Sequence, residues 1–138
     1  MSGQALHRVG YQNIDGIDFS EEMLGYARDK QTYRNLWQED LNALTEIKTG
    51  PYEAIFAAGI ISPSHANQET IDLGLSALRP NGIMVFSFND HALKDDIFMA
   101  KIGELKKNKN ITFLEEIYGD HIKKLVLKAT VYVIQKLS

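Results

Sequence analysis

The stretch that most constrains the fold is Asn13–Leu24, where a short apolar strand ends on a carboxylate and passes directly into a capped helix. Ile14, Gly16 and Ile17 carry the strand signal. Ser20 is placed as an N-cap, its hydroxyl able to accept from the free backbone N–H groups of the first turn. Glu21 and Glu22 add negative charge where the helix dipole favours it. In an open parallel sheet, ligands bind outside the carboxyl ends of the strands, and an acidic side chain there can hold both hydroxyls of a ribose. Asp18 stands at that position.

The rest of the chain continues the alternation. Ser2–Val9 has the pattern of the last two turns of a helix, with Ala5, Leu6 and Val9 on one face and Gly10 at the C-cap position. A helix is expected from Glu21 to Lys30, burying Met23, Leu24 and Ala27. Tyr33–Glu39 is a strand ending at Asp40–Leu41, and Asn42–Lys48 is a helical segment stopped by Gly50–Pro51. Tyr52–Ile61 is the most apolar run, bounded by breakers and too short for a helix. It is expected as a central strand buried on both faces, its small terminal residues leaving room for a close approach to the backbone.

Asn67–Leu78 follows as a helix with Ile71, Leu75 and Leu78 on one face, and Arg79–Pro80–Asn81–Gly82 turns the chain. Ile83–Phe88 is a strand ending in Asn89–Asp90–His91. Leu93–Lys107 is a helix with Ile97, Ile102 and Leu105 inward. Ile111–Tyr118 and Leu125–Val133 are strands separated only by Gly119–Lys124, too few residues for a parallel crossover, so they form an antiparallel hairpin. The expected fold class is α/β, a mostly parallel sheet closing with one antiparallel strand.

At 138 residues, 44% of them apolar, the chain is expected to form one domain spanning 1–138. A formal net charge of −3 provides no field for nucleic acid or anionic lipid. Loops 62–66 and 89–94 hold no basic run and no aromatic pair for stacking a base. No apolar run approaches the roughly 20 residues of a membrane span, and the first residues lack the apolar core of a secretory signal. The absence of cysteine excludes disulfides, a thiolate nucleophile and a Cys-type zinc site. A cytoplasmic protein with a small-molecule ligand, and neither a nucleic-acid nor a membrane partner, is expected.

The string Gly16-Ile17-Asp18-Phe19-Ser20-Glu21-Glu22-Met23-Leu24, followed by Ala27-Arg28, resembles the second-strand motif of class I S-adenosylmethionine-dependent methyltransferases. Glu39-Asp40-Leu41 falls where that family has its third motif. Tyr52–Gly59 is similar to its fourth, and Leu78-Arg79-Pro80-Asn81-Gly82-Ile83 to the turn before its fifth strand. Within the family the likeness is nearest to the methyltransferase-like proteins of the Williams–Beuren chromosomal region. The resemblance implies a Rossmann-like methyltransferase sheet, S-adenosyl-L-methionine as cofactor, and methyl transfer to a small-molecule acceptor. It implies that Asp18 binds the ribose hydroxyls and that Phe19 and Met23 pack on the adenine. Asp40 accepts the exocyclic amine, the Leu41 backbone N–H donates to a ring nitrogen, and Ala58 lies beside the methionine part. The family's first motif, a central strand with a Gly-x-Gly turn, is not found ahead of Ser2. A truncated domain is therefore expected, with weakened or absent cofactor binding and a strand edge open to self-association.

Other readings stand beside this one. Asp18 also suits local backbone hydrogen bonds before an N-cap, and Asp40 suits a helix cap for 42–48. His65 and His91, in loops after strands, are candidate general bases; His7 and His121 are expected at the surface. No His/carboxylate spacing supports a metal site, and no catalytic residue is assigned. Lys101, Lys106, Lys107 and Lys109 read as a solvated helix face. The competing functions are a nicotinamide-dependent Rossmann oxidoreductase, which also places an acid at this strand end, and a non-catalytic interaction module.

Overall fold

A computed structural model of the chain describes residues 8, 10, 12–47, 49–122 and 127–138. The chain divides into two compact units, Met1–Leu44 and Thr45–Ser138. The helix expected over Ser2–Val9 lies outside the described residues except for Arg8, which is helical.

The first unit holds β1 (Asp15–Asp18), α1 (Glu21–Asp29) and β2 (Asn35–Gln38). β1 and β2 are parallel, with Asp15 opposite Asn35 and Asp18 opposite Gln38. Ser20 caps α1 as its position dictates, its Oγ accepting from the Met23 N–H at 3.3 Å. Leu24 is the buried residue of this helix, whereas Met23 is exposed and Ala27 half-buried. The expected three-residue stripe is narrower because a nine-residue helix beside two short strands encloses only the position aimed at them. At the amino edge, Arg34 grips Asp15 through Nε–Oδ1 at 3.0 Å and Nη2–Oδ2 at 2.7 Å, and Asn35 Nδ2 adds a bond of 3.1 Å. The helix expected at 42–48 is not formed over the described residues 42–47. Asp40 closes a single turn instead, its Oδ1 accepting from the Asn42 N–H at 2.9 Å and its carbonyl from Ala43 and Leu44, each at 3.0 Å.

The second unit holds β3 (Tyr52–Ala57), α2 (Thr70–Ala77), β4 (Leu78–Asn89), α3 (Asp90–Leu93), α4 (Asp96–Lys107), β5 (Ile111–Ile122) and β6 (Leu127–Lys136). Its strands run in the order β3-β4-β6-β5. β3 and β4 are parallel, and β6 is antiparallel to both β4 and β5. The hairpin that the short β5–β6 connection requires is present.

Among the described residues β3 is an edge strand of this sheet, not a central one, and is half-buried along most of its length. It stops at Ala57 rather than Ile61. Gly59, at φ +78°, turns the chain, and its N–H donates to Ser87 Oγ at 2.8 Å. The turn expected at Arg79–Gly82 becomes an excursion inside β4: Leu78 pairs with Tyr52, and the ladder resumes with Ile83 opposite Ala54.

The core of this unit holds an aromatic cluster. The Tyr132 ring lies 5.1 Å from Phe86, 5.6 Å from Phe88 and 6.1 Å from Phe113 between centroids, and Phe98 meets Phe88 edge-on at 5.5 Å. The helix expected at Leu93–Lys107 is divided by Asp95, whose Oδ1 accepts from the N–H groups of Ile97 at 2.9 Å and Phe98 at 3.2 Å. That cap starts α4 afresh, with Phe98, Lys101, Ile102 and Leu105 inward and Ile97 left 63% exposed. Lys101 therefore does not belong to a solvated lysine face. It is buried, with Nζ 2.6 Å from Asp72 Oδ2 and 3.4 Å from Glu104 Oε2. α2 has no cation in its own last turn, and Lys136 of β6 supplies one, donating to the carbonyls of Leu75 at 3.0 Å and Leu78 at 3.1 Å.

Candidate functional site

The first unit presents its chemistry at the carboxyl edge of the β1–β2 pair. Asp18 is the last residue of β1 and half-buried. Its Oδ1 accepts from the Ser20 N–H at 2.9 Å, and its carbonyl accepts from the Glu39 N–H at 3.1 Å, extending the parallel ladder past β2. Oδ2 makes no hydrogen bond to the described residues. The local turn thus occupies one carboxylate oxygen and leaves the second for another donor.

Around Asp18 stand two apolar side chains that folding leaves in water. Phe19 is 71% exposed and Met23, in the first turn of α1, is 55% exposed. Gln38 Nε2 donates to the Phe19 carbonyl at 3.1 Å, fixing the backbone just past β1 against the end of β2. Asp40 is exposed two residues beyond β2, and Leu41 opens the turn that Asp40 caps. Asp18, Phe19, Met23, Asp40 and Leu41 are therefore gathered at one edge of one parallel pair. Gly16 makes that pair tight: a Cβ there would lie 2.8 Å from Leu36 Cδ2 and 2.9 Å from Tyr33 Cε1.

In the second unit, Ala58 is half-buried in the turn that follows β3, at the carboxyl edge of the β3–β4 pair. Asn89 ends β4 and caps α3, its Oδ1 accepting from the Ala92 N–H at 3.0 Å. His91 is exposed on α3, and His65 is exposed in the loop after β3. His7 lies outside the described residues, and only the backbone of His121 is described. One contact at this edge was not legible in the sequence: Tyr118 Oη donates to Asp90 Oδ1 at 2.9 Å, with Lys128 Nζ 5.9 Å from the Tyr118 ring. The strand order β4-β6-β5 brings these residues together, and no spacing along the chain announces it. Among the described residues, no group of three or more His, Asp or Glu side chains is placed to hold a metal ion. No helix among them is long and apolar enough to cross a membrane.

No protein-family profile and no curated protein sequence matches the chain. Solved structures do. N-methyltransferase NodS from Bradyrhizobium japonicum WM9 matches with a TM-score of 0.69 at 14% identity, over 99% of this chain and 82% of that one. Its complex with S-adenosyl-L-homocysteine gives a TM-score of 0.66 at 13% identity, over 91% and 67%. The O-methyltransferase TomG from Streptomyces achromogenes, in complex with SAM, gives 0.65 at 13% identity, over 91% and 62%. At these identities the likeness is one of fold. The α/β chain, with its parallel pairs and closing antiparallel hairpin, has a Rossmann-like fold of the class I methyltransferase type.

Proposed function

We propose that this chain binds S-adenosylmethionine through the carboxyl edge of β1 and β2 and transfers its methyl group to a small-molecule acceptor. The observation that carries the reading is the Asp18 carboxylate with Oδ2 open, at a parallel strand end, beside the exposed side chains of Phe19 and Met23. The donor set suits an adenosine. A carboxylate is acceptor-only and matches the two hydroxyls of a ribose, while exposed aromatic and thioether groups match the face of a purine.

In this reading Asp18 holds the ribose, and Phe19 and Met23 cover the adenine. Asp40 accepts from the exocyclic amine through the oxygen that its own turn leaves open, and the Leu41 N–H donates to a ring nitrogen. Bound S-adenosylmethionine supplies a methyl group on a sulfonium, so orientation contributes much of the rate and little acid–base help is needed. The chain's task is to hold and shield. A small acceptor is supported by the acidic balance and the absence of a basic run in loops 62–66 and 89–94. The finer likeness to the Williams–Beuren-region proteins rests on the sequence strings alone.

The nicotinamide reading uses the same strand-end acid; the fold of the solved neighbours, two of them complexes with SAM or S-adenosyl-L-homocysteine, favours the methyl donor. The test is calorimetric titration of chain 1–138 with S-adenosylhomocysteine and, separately, with NADH. Binding of the first alone, weakened by the lack of the first motif and abolished by Asp18→Ala, is expected. No heat with S-adenosylhomocysteine from a folded chain, or binding indifferent to Asp18→Ala, overturns the proposal.

A further inference from the structure

We draw no further inference here: the strongest candidate, the Asp90–Tyr118–Lys128 side-chain cluster at the carboxyl edge of β4, is a mutually paired surface network, and nothing in the structure shows what covers it.

Discussion

Asp72→Ala tests the packing logic of the second unit most directly. Lys101 is only 10% exposed along its side chain, yet its ammonium is held by two carboxylates that are themselves in water, Asp72 at 51% and Glu104 at 68%. Removing Asp72 deletes the 2.6 Å bond and leaves a buried ammonium with the 3.4 Å contact to Glu104 alone. An unpaired buried charge costs several kcal/mol when nothing replaces its partner; with water and Glu104 close by, the loss is expected at about 1–3 kcal/mol. Lys101→Met removes the charge and keeps an apolar stem of similar length at this buried position, so its cost stays within about 1 kcal/mol. In the Lys101→Met background, Asp72→Ala should cost less than about 0.5 kcal/mol, because no buried charge remains to be stranded.

The assay is urea unfolding followed by far-UV circular dichroism on the two single variants and the double variant. Equal cost of Asp72→Ala in both backgrounds would refute the reasoning. The pH dependence has a fixed sign. Burial lowers the Lys101 pKa, but the hydrogen bond and charge of Asp72, with Glu104, outweigh it and leave the pKa raised above 10.5. The folded value exceeds the unfolded one, so the contribution is full below pH 10.5 and is lost as the pH rises through the folded value. Acidifying from pH 9 to 7 should therefore leave the coupling between the two residues unchanged.

Four further outcomes are expected. Burial, with the charge of Glu116 adding to it, pushes the Tyr132 hydroxyl from 10.0 up to about 12. A contribution of order 2 kcal/mol is then lost as the pH rises from 10 through 12, and a late phenolate absorbance step should coincide with unfolding. Lys136→Met removes the ammonium from the Leu75 and Leu78 carbonyls at the end of α2, leaving Leu75 its bond from the Leu78 N–H, and should lower stability by about 1 kcal/mol in the same urea assay. Gly82→Ala would set a Cβ 2.8 Å from the Arg79 carbonyl oxygen, costing about 1–3 kcal/mol; Gly74→Ala meets only the flexible end of Met84 at the same distance and should cost less. Phe19→Ser, at a 71% exposed position, should move the urea midpoint by less than the equivalent of about 0.5 kcal/mol. It should nevertheless weaken S-adenosylhomocysteine binding about tenfold or more in calorimetry.

What the sequence made legible was local. Ser20 and the acidic first turn mark α1 because a cap acts within three residues, and the short link after β5 dictates antiparallel pairing because a crossover needs more chain. What it hid was the phase and the partner. Asp95 caps a fresh helix that begins at Asp96, three residues past the expected start at Leu93, and in that helix Ile97 faces out and Lys101 faces in. Lys101 then looks like its exposed neighbours because its partner, Asp72, lies 29 positions away on another helix. β3 has the composition of a central strand, yet composition reports burial and cannot report which edges are paired.

The same separation of local from distant information explains the candidate site. Periodicity assigns Met23, Leu24 and Ala27 to the buried stripe of α1; Leu24 is buried as expected, Ala27 is half-buried, and Met23 is left in water, as is Phe19. Both Met23 and Phe19 are exposed, so neither contributes the full burial that apolar residues ordinarily supply. Their position is informative for that reason. They flank a carboxylate that folding uses through one oxygen only, at the strand end where parallel sheets bind ligands. Each residue taken singly has an ordinary explanation: a turn for Asp18, a loop for Phe19, an exposed helix position for Met23. Taken together, a half-used acceptor beside two apolar groups left in water is the combination on which the proposed adenosine site rests.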